Sequence, residues 1–391
     1  FALGFEPAPA ADLAEFDRRV DKNLVGLFRL AKELMQRGAG VSLAVLTRNA
    51  LAVTPGGGAV AENAALAGLV KTLIEEYPSL NVRMVDVDDA TPAEVLGREL
   101  LADVPGVYAL RDGVPHAELF SEISELTPRE GSEIHLPRPE GAYLITGGTG
   151  GLGLAIAHRF ARMAHGIHLY LTGRTPLPPR AEWERLAYRP DGGARAERAR
   201  ALLELVELGA DVRVEAGDAG DEAHLTDLVA RIRREHGRLD GVVHAAGVPG
   251  ENMIMFRTVE DFRRVLRPKM RGAFLLEALT RDDPPDFVVH MSSAAAVFPS
   301  LGQADYAAAN YYLDTVAVAA KEPKPRVLAI DWVAWRDVGM AVTTGANEDG
   351  VFRALRTQEG LELLLAGLRS EHRRFLAGRI DYTSDLVAML P

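Results

Sequence analysis

Five glycines, Gly147, Gly148, Gly150, Gly151 and Gly153, crowd one turn of the stretch YLITGGTGGLGLAIAHRF. Glycine tolerates positive backbone torsions and lets another molecule touch the main chain, so such a cluster between strand and helix points to a ligand held against backbone. Gly148, Gly150 and Gly153 satisfy G-x-G-x-x-G, and Gly147, Gly151 and Gly153 satisfy G-x-x-x-G-x-G. An apolar run before and a helical run after are what a pyrophosphate at a helix N-terminus requires. A tight turn without ligand fits the same residues, so the next strand matters. NAD sites place an acidic residue at its end, roughly 20 residues on, to bind the ribose 2′-hydroxyl. Here the strand ends LTGR, and Arg174 stands in the acid's place. A guanidinium suits a 2′-phosphate, although a solvated surface arginine would read identically.

A second constellation lies in HMSSAAAVFPSLGQADYAAANYYLD. A helix starting near Tyr306 puts Tyr306 and Asn310 one turn apart on one face, and Ser293 lies 13 residues before the tyrosine. Taken singly, these are a strand-end hydroxyl, an amphipathic ring and a polar helix residue.

The elements that must position these residues follow from periodicity. Residues Asp12 to Gly38 have apolar positions at helical spacing, Val41 to Thr47 read as a strand, Asn63 to Pro78 as a helix and NVRMVDVD as a strand. TPAEVLGRELLAD follows as a helix, with Thr91 and Glu94 expected to form a capping box. The polar, proline-containing stretch Leu126 to Gly141 marks a boundary. From Ala142 the alternation restarts: YLIT, HLYLTG, DVRVEA, GVVHAAG, DFVVHMSS and RVLAIDWV are strands with helices between them. Alternation of this kind predicts a parallel sheet covered on both faces. The expected fold class is α/β, with two tandem Rossmann-like subdomains: a truncated one over residues 1–130 and a complete doubly wound parallel sheet over residues 138–391. VTPGGGAVAEN in the first has three glycines without the phosphate-loop spacing, so no nucleotide is expected there.

Composition narrows the function. The 391 residues are 48% hydrophobic and 25% charged, as in an ordinary globular protein, with a formal charge of −11 and no long basic stretch. Nucleic acid is not expected as a partner, because phosphate binding needs clustered Lys and Arg; Arg231 to Arg238 reads as a solvated helix face. The absence of cysteine excludes thiolate chemistry and a Cys-based zinc site, and fits a cytoplasmic location. No apolar run approaches the roughly 20 residues that cross a bilayer, so no membrane partner is expected. Ten histidines occur without metal-ligand spacing, so no metal is expected. Trp332 reads as a core aromatic. Because the chain begins at Phe1 without methionine, excision from something larger is expected.

At these residues the sequence resembles the short-chain dehydrogenase/reductase superfamily, and within it the ketoreductase domains of modular polyketide synthases. TGGTGGLG is similar to the family's glycine loop, implying cofactor contacts from Gly147, Thr149, Gly150, Gly151, Leu152 and Gly153. Asp218, followed by Ala219, is similar to the adenine-contacting acid, and His244, Ala245, Ala246 and Gly247 to the fourth-strand motif. Ser293 and Tyr306 resemble the catalytic pair. Most of the superfamily has lysine four residues after the tyrosine, whereas this chain has Asn310; the synthase ketoreductases carry the lysine earlier, which points to Lys269 in VLRPKMRGAFLLEAL. ENAALAGLVKTLIEEYP with VDVD is similar to their preceding structural subdomain.

The resemblance implies an NADPH-dependent reductase of a β-ketoacyl chain, carried on an acyl carrier protein by phosphopantetheine, among neighbouring synthase domains. The alternatives are a silent structural ketoreductase and a free-standing reductase of small ketones. Hydride addition puts negative charge on the ketone oxygen, which needs a proton donor and a second hydrogen bond. Tyr306 and Ser293 would supply them, with Lys269 and oxidised nicotinamide lowering the tyrosine pKa and Asn310 holding the lysine and an ordered water. Substrate orientation is expected to involve Glu251, His290, Gly302, Gln303 and Met340. In the resembling family a Leu-Asp-Asp element accompanies one alcohol configuration and a tryptophan three residues before the serine the other. Here Pro249, Gly250 and Glu251 stand at the first and His290 at the second, and because the complete aspartate element is missing the L-hydroxy product is the expected one.

Overall fold

The computed structural model describes residues 1–37, 40–53, 58–129, 136–250, 252–321, 325–340, 342, 345 and 351–383. Through Glu125 the elements are α1 (Leu13–Arg19), a π-helical turn (Val20–Val25), α2 (Gly26–Arg37), β1 (Leu43–Arg48), α3 (Ala61–Glu76), β2 (Val82–Val87), α4 (Ala93–Leu100), β3 (Gly106–Arg111) and β4 (Val114–Ala117). Then come β5 (Ala142–Thr146), α5 (Gly151–Met163), β6 (His168–Gly173), α6 (Trp183–Ala187), α7 (Gly193–Glu207), β7 (Asp211–Ala216), α8 (Glu222–His236) and β8 (Gly241–His244). The chain continues through α9 (Val259–Leu266), a second π-helical turn (Arg267–Arg271), α10 (Gly272–Thr280), β9 (Phe287–Ser293), α11 (Ala304–Ala319) and β10 (Arg326–Trp332). It closes with β11 (Phe352–Arg353), α12 (Thr357–Arg369), β12 (Arg374–Ala377) and β13 (Arg379–Ile380). None of the described helices is long and apolar enough to cross a membrane.

Packing divides the chain into two compact units. The first comprises residues 1–125, 248–271 and 292–321, and the second residues 126–247, 272–291 and 322–391.

The first unit holds a sheet of order β1-β2-β3-β4, in which β1, β2 and β3 run parallel and β4 returns antiparallel. The β3–β4 hairpin turns on Asp112 and Gly113, both at positive φ, the Asp-Gly signature of a two-residue hairpin. The expected capping box on α4 is not formed. Pro92 occupies the cap position, and the Thr91 hydroxyl instead donates to Asp88 Oδ1 at 2.6 Å, closing the turn after β2. An adjacent carboxylate outcompetes the helix for that hydroxyl.

The centre of this unit is a pair of helices. α3 (AENAALAGLVKTLIEE) and α11 (ADYAAANYYLDTVAVA) are apolar nearly all round and largely buried, as helices without a polar face must be. They pack together along small residues: a Cβ at Gly68 would stand 2.5 Å from the Ala307 carbonyl oxygen. Phe28 of α2 stacks on Phe262 of α9 with centroids 4.4 Å apart, and Phe16 meets Tyr312 edge-on at 5.8 Å.

The second unit holds a seven-stranded sheet of order β12-β10-β9-β8-β5-β6-β7. Its first strand in sequence, β5, lies between β6 and β8, all parallel, so the order reverses beside β5. In doubly wound folds the crevice at the C-terminal ends of the strands flanking that reversal is where ligands bind. β12 and α12 complete the sheet beyond the strands read from sequence.

Residues 138–391 alone would retain α11 but lack α3, exposing the apolar face along Ala307. We expect that fragment to be aggregated or inactive; a soluble, fully active fragment would contradict the packing argument. In the full chain, Gly68→Val should cost about 1–3 kcal/mol by overpacking, read as a lower melting temperature.

Candidate active site

In the second unit, the glycine turn is built from close backbone approaches. Gly147 has φ +67, and a Cβ there would lie 2.7 Å from the Ala245 carbonyl oxygen. At Gly148 a Cβ would meet the Ile145 carbonyl oxygen at 2.6 Å, and at Gly153 the Gly148 Cα at 2.5 Å. Gly150 caps α5 without any side-chain hydrogen bond, so the N–H groups of Gly151, Leu152 and Gly153 open the helix uncapped by a side chain. A phosphate group fits that donor set, since helix N-termini present unpaired N–H groups and a positive dipole end.

The neighbouring strand ends close against this turn. Thr149 Oγ1 would lie 2.0 Å from a Cβ at Gly173, so any side chain at the end of β6 would have to displace the Thr149 hydroxyl, and exposed Arg174 follows it. Asp218 Oδ1 accepts the Gly220 N–H at 2.8 Å, holding the turn after β7, and Ala219 is buried behind it. Thr146 Oγ1 pairs with His244 Nδ1 at 2.7 Å, while Ala245 and Ala246 donate their N–H groups to the Thr146 carbonyl and hydroxyl oxygens at 3.0 and 3.3 Å. These bonds tie β5 to β8 where the strand order reverses, leading to Gly247.

Ser293, Tyr306, Asn310 and Lys269 all belong to the first unit. β9 ends at Ser293, whose Oγ accepts the Ala295 N–H at 3.2 Å. α11 starts two residues before Tyr306. Asn310, fully buried one turn later, donates its amide to the Tyr306 carbonyl at 2.7 Å and receives the Ser292 hydroxyl on its own carbonyl at 3.3 Å. Its Oδ1 is buried with no hydrogen-bond partner among the described residues. Lys269, on the second π-helical turn, is buried with Nζ 5.4 Å from the centroid of the Tyr306 ring.

Burial dominates the electrostatics. It pushes Lys269 down to about 8, against the pull of the Asp314 carboxylate, which favours the charged ammonium. It pushes the Tyr306 phenol up, while hydrogen bonding with Ser293 and Asn310 pulls the other way. In the chain by itself desolvation of the ring outweighs those favourable interactions, so the phenol lies above its ordinary value and Lys269 alone does not lower it.

The KR domain family model matches residues 141–337, and that of the Rossmann fold domain of the polyketide synthase extender module SpnB matches residues 5–118. The chain belongs to the ketoreductase domains of modular polyketide synthases. It is 34% identical to a phenolphthiocerol/phthiocerol polyketide synthase polypeptide of Mycobacterium tuberculosis over 86% of this chain and 18% of that protein. With the 6-methylsalicylic acid synthase of Penicillium patulum it shares 31% identity over 86% of this chain and 19% of that one. The chain thus spans about a fifth of these relatives. Among solved structures, A-type ketoreductases from a modular polyketide synthase align with a TM-score of 0.80 at 28% identity, covering 93% of this chain and 74% of that one. An A1-type ketoreductase aligns with a TM-score of 0.77 at 29% identity, covering 91% and 72%.

Membership makes the chain an oxidoreductase with a nicotinamide-cofactor fold. In this ketoreductase domain the residues expected to orient substrate come from several elements. Glu251 lies outside the described residues. His290 is buried in β9, edge-on to His244 at 5.8 Å, and three residues along a strand puts it on the opposite face from Ser293. Gly302 has φ +83 in the loop entering α11, and Gln303 is the α11 cap residue. Met340 follows Val338 and Gly339, which approach Gly151: a Cβ there would lie 3.0 Å from the Gly339 nitrogen. Sequence reasoning missed Gly173 and Asp314; the run Tyr306, Asn310, Asp314 at i, i+4, i+8 was the available signal for the latter.

Gly153→Ala would drive a Cβ into the Gly148 backbone, so the loop must shift. Titration by fluorescence should show dinucleotide affinity weakened by about tenfold or more, the equivalent of about 1.4 kcal/mol. Unchanged affinity would contradict the loop's assignment.

Proposed function

We propose that this domain reduces the β-keto group of an acyl thioester on an acyl carrier protein to the β-hydroxy group, with NADPH as reductant and the L-alcohol as product. The observation that carries the reading is the gathering of Ser293, Tyr306, Lys269 and Asn310 in one compact unit, with the lysine over the tyrosine ring. An intact set of this kind favours an active enzyme over a silent domain.

The α5 N-terminus and its glycines would hold the pyrophosphate, Asp218 the adenine and Arg174 the 2′-phosphate. When bound, the nicotinamide supplies the hydride. Ser293 and Tyr306 hydrogen-bond the ketone oxygen, so negative charge develops against two donors already in place. Tyr306 then gives its proton to that oxygen. Lys269, while charged, stabilises the phenolate left behind, and Asn310 Oδ1 offers a buried acceptor for the water that resupplies the proton.

Incubating a carrier-bound β-ketoacyl substrate with NADPH should raise its intact mass by two daltons, the mass of the two hydrogens added. NADH should need a higher concentration, since it lacks the group Arg174 would pair with. Tyr306→Phe should leave NADPH binding unchanged and lower turnover about a hundredfold or more, the scale of losing a positioned acid. Unchanged turnover would remove Tyr306 from the mechanism.

The pH profile tests Lys269. Its pKa, lowered to about 8, means that it is charged below that value and neutral above it. Turnover at saturating substrate should therefore fall as pH rises through about 8, and Lys269→Met should have low turnover with that limb flattened. A wild-type profile level through pH 9 would show that the charge on Lys269 does not matter.

A further inference from the structure

Two loops flank Tyr306, and both are held by one carboxylate from the half of the chain that carries none of the four residues above. Glu76, the last residue of α3, is buried; its Oε1 accepts the Gly302 N–H and its Oε2 the Ile254 N–H, each at 2.8 Å. Gly302 precedes α11, and Ile254 lies in the segment after β8. A second link lies beside the first. The buried Arg257 guanidinium pairs with the Asp305 carboxylate and donates to the Asn252 carbonyl at 3.1 and 3.2 Å and to the Gly302 carbonyl at 3.1 Å. Asp305 Oδ1 in turn accepts the N–H of Tyr306 at 2.8 Å. The segment after β8 also comes close to the tyrosine: a Cβ at Gly250 would lie 3.1 Å from the Tyr306 Cβ and 2.8 Å from Asp305 Oδ1.

Three ionisable side chains are thus taken out of water inside one cluster, where burial pushes Glu76 up and Asp305 up to about 7 against the pull of Arg257. Removing charge from water costs several kcal/mol per ion, and apolar residues of similar volume often stabilise a fold as well or better. These side chains accomplish what apolar packing cannot, since each fixes a backbone N–H or C=O at a set distance.

We propose that Glu76, acting with Arg257 and Asp305, is a positioning residue that sets the placement of Tyr306 and the loop beside it, and thereby the orientation in which the ketone is presented. The proposal rests on the reductase reading above. It assigns to the first 125 residues a direct part in stereochemical fidelity.

The test uses the full chain and Glu76→Gln, whose carboxamide keeps one acceptor but turns a donor toward the second N–H. Hydrogen exchange at the Ile254 or Gly302 amide should quicken about tenfold or more. Turnover of the carrier-bound ketoacyl substrate should fall about tenfold to a hundredfold, the scale of a small misplacement at a reacting centre. The minor alcohol enantiomer, measured by chiral chromatography, should rise, while the KM for NADPH stays level. A residue that only supports folding would reduce the active fraction and leave the product ratio unchanged.

Arg257→Lys serves where Glu76→Gln fails to fold: it keeps a charge opposite Asp305 but loses the fork to the two carbonyls, and the same changes are expected. Folded variants with wild-type product ratio and turnover would overturn the proposal. If the wild-type chain leaves the ketoacyl thioester unreduced, the reductase reading fails, and unchanged exchange at Ile254 and Gly302 would then overturn the clamp as well.

Discussion

The approach of α3 to α11 at Gly68 is the constraint on which the Tyr306 cluster depends. Helices this apolar have no face to give to water, so each must be covered along its length. They achieve it by bringing backbone to backbone, which only a residue without a side chain permits at the crossing. α11 is therefore held rigidly by neighbours on its alanine side. Tyr306, Asn310 and Asp314, spaced one turn apart on that helix, inherit its placement. A residue that must hold a proton within hydrogen-bond reach of a substrate gains from being carried on such an element rather than on a loop.

Burial also sets the chemistry. Lys269 and Tyr306 are each pushed toward their neutral forms by desolvation, and each is pulled back by particular partners, Asp314 for the lysine and Ser293 with Asn310 for the phenol. Titratable groups whose environments oppose one another in this way cluster where protons are moved. The lysine's lowered value places its charge change within reach of ordinary working pH, where a solvated lysine would remain charged throughout.

Much of this was legible in the sequence where cause and effect are close along the chain. Gly148 and Gly153 are dictated by contacts within one turn, so their spacing alone pointed to a strand, a phosphate-sized gap and a helix, whereas Gly147 answers to the Ala245 carbonyl 98 residues on. Thr91 shows the limit of such reading: its type and its distance from Glu94 suited a cap, but Asp88 lay nearer to the hydroxyl. The hairpin at Asp112 and Gly113 carried its own signal, and α12 with β12 extended the sheet past the last strand recognised. Asp314 was visible as a helical repeat of Tyr306 and Asn310, yet nothing in the chain marks it as the carboxylate that supports Lys269.

The sequence by itself determined the alternation of strands and helices, the glycine turn and the residue types able to donate a proton, because these follow from local periodicity and from what a single residue can do. Only the tertiary structure decided that Lys269 lies over the Tyr306 ring and that Glu76 holds Gly302 and Ile254, residues 226 and 178 positions away. Contacts at such separations leave no periodic trace. They arise when buried polar groups must find partners inside a core whose shape the whole chain sets, and desolvation then fixes which of them keep their charge.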